Sequence, residues 1–431
     1  MAERSLEQST QSSWVFFLVG VAALPISPLV LLVSWLICLI LAWRSGPSVL
    51  STPPMRWLGI TALVLTVTTF FSYRLTDSLL GLFNYLPFFL FFGLVLCLVR
   101  SEERLVQVLR VALASGLLTG VAGVVEWVSG QNWRWAPWPG VFEVLVGSRQ
   151  ETGILERVTS FFGWPTSAAA YFLLILPLSV AMVLGTVRPT VRDWVTLGTM
   201  ATALVGTASR NAWGVILLVV CILMLVAKRI WPVAVLVLAT ILVLLAGAGP
   251  DDWAVVAFLR QVIPDVLWQK VAASLDSGTS SYESLTNRWG AWQTAWDMLW
   301  QRPLTGWGLQ TFPFVEAEIY HRDAEMTLHP HNIYLTYFAE AGLPTGLLLT
   351  GFYVWSVVGG TRRAFQLHAA ARTGDPETVR RFWQLVGLVA GVVAYLAFGL
   401  FDVPFYDSRI NAMFWLWLGL VWHHTLELDD T

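Results

Sequence analysis

From Trp194 to Ala227 the chain runs for 34 residues with one charged side chain, Arg210. A membrane-spanning helix needs about 20 mostly apolar residues, because in hydrocarbon every backbone N–H and C=O must be paired within the segment. The run is too long for one ordinary span and reads as a hairpin of two short helices with Ser209 and Arg210 at its tip. Comparable runs recur at Trp57–Phe71, Leu79–Val99, Val111–Val128, Pro165–Gly185, Ile230–Ala248, Leu343–Val358, Phe382–Phe401 and Ile410–Trp422. Trp14–Trp43 is interrupted by Pro25 and Pro28 and reads as a further hairpin. These runs are continuous, which excludes the alternating strands of a barrel. The fold class is all-α: a polytopic integral membrane protein with about 12 transmembrane helices.

With 56% hydrophobic and 13% charged residues and a mean hydropathy of +0.65, the chain is no soluble domain. A net charge of -2 offers no basic surface, so nucleic acid is excluded as a partner. Cys38, Cys97 and Cys221 lie far apart within apolar runs and read as core residues. The polar start MAERSLEQSTQSS is unlike a cleaved signal and is expected to be retained. Basic residues collect at Arg44–Arg56, Arg100–Arg110, Arg188–Arg192, Lys228–Arg229 and in the loop Thr361–Arg381, after even-numbered spans. The positive-inside rule then puts these loops, both termini and the acidic tail in the cytoplasm. Residues 1–431 form one membrane domain, and residues 249–342 form an extracytoplasmic loop embedded in it. That loop carries amphipathic helices at Trp253–Leu275 and Leu285–Trp300, a break at Gly306 and Gly308, and the site. Trp133, Trp135 and Trp138, in the loop 129–157, are the aromatics expected at a membrane surface.

SRNAW at Ser209, NRWGAWQTAWDMLWQRPLTGWG from Asn287 and HPHNIYLTYFAEAG from His329 resemble the O-antigen ligase and polymerase superfamily. Phe162-Gly163-Trp164-Pro165 looks like the family's Phe-Gly-Asn-Pro, departing at Trp164, and Gly399-Leu-Phe-Asp402 is also similar. The resemblance implies a glycosyltransferase of the bacterial cytoplasmic membrane without metal or other cofactor. Its donor would be a polyprenyl-diphosphate-linked glycan; its acceptor, at the outer face, a lipid such as lipid A core, a growing polysaccharide or a protein. Cyanobacterial relatives labelled inorganic-carbon transporters are similar too, so transport is the alternative. Against it, the charges of this chain sit at the outer boundary and not at mid-membrane.

The residues fit the first implication. A guanidinium group recognises phosphate oxygens through paired, charge-assisted hydrogen bonds, and Arg210 and Arg288 are the candidates for the donor diphosphate. The structural alternatives are a snorkelling anchor for Arg210 and a solvated helix residue for Arg288. Arg157 is either a third phosphate contact or a loop charge. An acceptor hydroxyl must lose its proton as it attacks, and an imidazole, with an ordinary pKa of about 6.5, takes protons readily. His331 is the candidate base, since it directly precedes Asn332 and the helix-like run Ile333–Tyr337. His329, beyond Pro330, and Asn332 are supporting residues. Asp402 and Arg409 read as a structural pair. His321, His329, His331, Glu316, Glu318, Asp323 and Glu325 are close in sequence but show no zinc spacing, and no metal site is expected.

Overall fold

Proline and charge set most of the helix ends. The computed structural model describes residues 2–42, 47–138, 142–146, 157–321, 328–371 and 374–426. Helix α1 (Ala2–Ala23) turns at Pro25 and packs against α2 (Pro28–Ala42), the expected hairpin. The short α3 (Pro47–Leu50) and α4 (Pro53–Thr69) both begin at proline, whose missing N–H costs nothing in a first turn. A turn of α5 (Leu75–Gly81) and a tight 3-10 turn lead into α6 (Leu86–Leu98). Helix α7 (Glu102–Ser129) starts where Ser101 accepts from the Arg104 N–H at 3.3 Å, with Glu102 and Glu103 in the first turn. It therefore takes in Arg104 and Arg110, expected outside the span.

The fold is all-α, and among the described residues of 129–157 one two-stranded sheet adds to it. Strand β1 (Trp133–Trp138) pairs antiparallel with β2 (Phe142–Val146), with Trp133 opposite Val146 and Trp135 opposite Val144. The alternation of Trp133 and Trp135 with Arg134 and Ala136 is a strand pattern that the interfacial reading passed over, and the register shifts before Trp138.

Then come α8 (Pro165–Gly185), the hairpin α9 (Val191–Gly206) and α10 (Arg210–Val226), and α11 (Ile230–Ala248). Thr190 and Asp193 form a reciprocal cap on α9, and Arg210 opens α10 at the hairpin tip, as expected. The first amphipathic segment is two helices, α12 (Ala254–Val262) and α13 (Asp265–Leu275), divided at Pro264. The second is α14 (Ser280–Gln301), followed by the short α15 (Phe312–Glu318). Helices α16 (Ile333–Ala371), α17 (Pro376–Phe398) and α18 (Ser408–Leu426) complete the chain. The loop expected over Thr361–Arg381 is thus helical as far as Ala371, and α17 begins anew at Pro376 under an Asp375 cap. Charge-rich sequence continues a helix once it clears the apolar core, so the span expected to end at Val358 runs on. Arg44, Arg372 and the acidic tail lie outside the described residues.

Among the described residues, six helical runs are long and apolar enough to cross a membrane: 75–98, 102–129, 165–185, 230–248, 333–371 and 376–398. Gln11–Ala23, Pro28–Leu41 and Arg210–Val226 are apolar but shorter. Helix α8 is the axis, 89% of its apolar window buried, packed on α9, α10, α17 and α18; α11, at 11%, leaves its apolar side chains facing outward.

Helix α16 is broken at Gly342, where φ is +78°. The turn 303–308 docks into the break. The N–H of Leu343 donates to Pro303 O (2.7 Å), that of Trp307 to Ala339 O (3.1 Å) and that of Gly308 to Glu340 O (2.8 Å). A Cβ at Gly342 would meet Leu304 O at 2.6 Å and one at Gly306 would meet Glu340 O at 2.3 Å, so two glycines permit the approach. Beside this joint, Ala291, Ala295, Met298, Trp307, Phe312, Val315 and Ala339 form a small core separate from the main one. It fixes α14 against the first part of α16.

Candidate active site

Three chain segments meet where α17 ends and α8, α10 and α18 begin. The first is 157–162. The Arg157 Nε donates to Thr207 O at 2.9 Å and the Val158 N–H to Gly206 O at 2.8 Å, which ties this segment to the α9–α10 tip. Beneath it, buried Glu126 of α7 accepts from the N–H groups of Thr159 (3.0 Å) and Ser160 (2.7 Å) and from Thr159 Oγ1 (3.0 Å). Ser160 and, before Arg210, Ala208 both have left-handed backbone, with φ of +50° and +49°. Conformations of this kind persist only where surrounding contacts hold them, and they gather at functional sites. Arg210 itself hydrogen-bonds Ser274 Oγ of α13.

The second and third segments are 329–332 and 399–402. His331 too is left-handed, at φ +48°. Asn332 caps α16, its Oδ1 accepting from Tyr334 and Leu335 N–H at 3.0 Å, while its Nδ2 donates to Leu400 O at 3.1 Å. With the Ile333 N–H on Gly399 O at 2.8 Å, these bonds lash the histidine turn to the segment that carries Asp402. The carboxylate of buried Asp402 lies 3.9 Å from His331 Nδ1, short of a hydrogen bond but placed to orient and charge-balance the ring. Burial alone would raise the Asp402 carboxyl; His331 and then His329 more than offset it and leave it below the ordinary carboxylate range.

His329 plays a different part. Its Nδ1 accepts from the His331 N–H at 3.2 Å, and its ring stacks on Tyr406 at 5.8 Å. Burial, then the charge of His331, lowers its pKa to about 4. A neutral ring whose Nδ1 lone pair is already engaged is a support and a poor base.

The three arginines arrive from three elements. Burial presses hardest against the charge of Arg157, Arg210 adds to it, and Asp402 partly offsets it. Arg288, on α14, is also disfavoured by burial and favoured by Asp402, and its charge reaches Arg210 and His329. The Nε of Arg288 is buried and has no hydrogen-bond partner among the described residues. The structure therefore brings together Arg157, Arg210, Arg288, His329, His331 and Asn332, and adds Asp402.

Asp402 does not pair with Arg409. Arg409 binds Asp407 at 2.8 Å and donates to Phe161 O (2.8 Å) and Phe162 O (3.2 Å), anchoring α18 to the 157–162 segment. Two opposite charges close in sequence were read as partners, whereas the turn around Pro404 points them apart. The signal for Asp402 was available: like Arg210, it is a charge stranded between two apolar runs.

Of the carboxylates weighed for a metal site, the two that the structure describes make other contacts. Glu318 binds Arg74 and Tyr73, both at 2.7 Å, and buried Glu316 lies 3.4 Å from Thr294 Oγ1. Asp323 and Glu325 lie outside the described residues. Among the described residues, the group able to hold a cation is His329, His331 and Asp402, whose ligand atoms lie within 4.8 Å of one another. One His329 nitrogen is already engaged, and the charges of Arg157 and Arg288 act on the cluster, a setting that disfavours a dication.

Residues 195–350 match the family model described as O-antigen ligase. That segment is similar to the O-antigen ligase superfamily. No curated protein matches the chain. Within the O-antigen ligase match fall Arg210, Arg288, His329 and His331; Arg157 and Asp402 lie outside it, joined to it by the fold.

Proposed function

We propose that this chain is a metal-independent, O-antigen ligase-like glycosyltransferase acting on a polyprenyl-diphosphate-linked glycan at the outer face of the bacterial cytoplasmic membrane. The observation that carries the reading is that Arg157 and Arg288, from separate elements, both act on Asp402 of the His331–Asp402 pair, while Arg210 acts with each of these arginines. Mutually repelling, half-buried cations are costly without an anion, and a diphosphate at headgroup depth supplies one. His331, oriented by Asp402 at Nδ1, takes the acceptor hydroxyl's proton at its other ring nitrogen. The acceptor oxygen then bonds to the anomeric carbon, the bond from that carbon to the diphosphate breaks, and polyprenyl diphosphate leaves with the electron pair. The arginines stabilise the charge that develops on it, so no acid is needed to protonate the leaving group.

In this reading both termini are cytoplasmic, residues 249–342 face outward, and the acceptor is a lipid, a polysaccharide or a protein. The test is transfer by purified protein in EDTA. Release of polyprenyl diphosphate matched by new glycoconjugate supports the proposal; dependence on added divalent metal, or binding without transfer to any acceptor class, overturns it.

A further inference from the structure

Helix α14 presents more than Arg288 to the site. Trp292 lies one helical turn beyond it on the same face, and its ring stands 6.2 Å from Phe401, the residue before Asp402, and 6.2 Å from Trp289. The three rings make one aromatic surface adjoining the His331–Asp402 pair. The indole Nε1 of Trp292 is buried and, like the Arg288 Nε, has no hydrogen-bond partner among the described residues. Further along the helix, exposed Trp296 and Trp300 pair at 5.7 Å on the outward side.

Two occupants compete for the Trp292 surface. A lipid chain would cover the rings but leave a buried N–H donor unpaired, an unfavourable arrangement. A sugar offers both a C–H face for the ring and oxygens for the N–H. Because the neighbouring Arg288 is placed for phosphate, the group one turn beyond it is the sugar attached to that phosphate. We infer that Trp292, flanked by Trp289 and Phe401, holds the phosphate-linked sugar of the donor, the sugar face on the indole and a sugar oxygen accepting from Nε1. This rests on the glycosyl-transfer reading. Trp296 and Trp300 anchor the helix at the membrane interface instead.

The experiment compares equilibrium binding of polyprenyl diphosphate with and without its glycan to purified protein in detergent, alongside transfer by the same preparations. The wild type should prefer the glycan-bearing lipid by about tenfold. Trp292→Ala and Trp292→Leu should erase that preference while binding the bare lipid normally, which also shows that they fold. Trp292→Phe, keeping a ring without the N–H, should retain part of it, and Trp300→Ala all of it. Wild-type preference in both Trp292→Ala and Trp292→Leu overturns this inference alone, provided the wild type transfers glycan. A wild type that neither binds the lipids nor transfers glycan overturns the transfer reading and this inference with it.

Discussion

The two walls of the site are built on opposite principles. On one, Arg157, Arg210 and Arg288 come from three elements, disfavour one another's charge and are held by contacts to the fold, such as Arg157 on Thr207 O and Arg210 on Ser274. On the other, His329, His331 and Asp402 come from two segments cross-tied by backbone and Asn332 hydrogen bonds. The cationic wall awaits an anion; the histidine wall is ordered before any substrate arrives. In the proposed reading the first wall binds the donor and the second takes the proton, and each can be tested alone.

The largest effect should follow His331→Ala, with transfer falling by about 10²- to 10⁴-fold while donor binding persists. Near wild-type turnover in a folded protein would dissolve the distinction between the walls. Next, Arg288→Ala should weaken donor binding by about 10- to 100-fold, and Arg288→Lys should recover only part, because lysine lacks the planar fork. A loss confined to kcat would move Arg288 to the other wall. Asp402→Asn should lower kcat less than His331→Ala does, since it alters the ring's orientation but leaves the imidazole in place.

The histidine wall also predicts a stability signature. His329 has an ordinary pKa of 6.5 unfolded and about 4 folded, so the unfolded chain binds the extra proton first as pH falls. The folded state should lose stability progressively from about pH 6.5 down to 4, and thermal melting of His329→Gln should be flatter across that window. The smallest effect is expected on the scaffold of the cationic wall. Glu126→Ala leaves the Thr159 and Ser160 N–H groups without their acceptor, a loss of about 1 to 3 kcal/mol of stability, with donor affinity reduced through Arg157. Orientation in the membrane is checked separately: exposed Leu328→Cys should react with an impermeant thiol reagent from outside, and Arg362→Cys only after permeabilisation.

What could be read from the sequence was whatever depends on length and charge along one dimension. The Pro25–Pro28 turn, the Ser209–Arg210 tip, the bounds of α8 and α11 and the break at Gly342 all follow from apolar runs and their interruptions. Contacts between distant segments were illegible. Asp402 gains its meaning from a histidine on another helix start, and Glu126 from a loop that folds back over the end of α7. Each, taken alone, is a carboxylate near the end of a hydrophobic run, where a solvated charge is the ordinary case.

The break at Gly342 carries a consequence for how the protein is made. An interrupted helix leaves backbone groups without partners, and the bilayer provides none. Here Pro303, Trp307 and Gly308 supply or receive those bonds. A nascent α16 entering the membrane by itself would have to straighten or leave them open, so the turn 303–308 must already be waiting at the bilayer surface. Loop and span are therefore assembled as one unit, and an insertion between Pro303 and Gly308 should be met first as a failure of biogenesis.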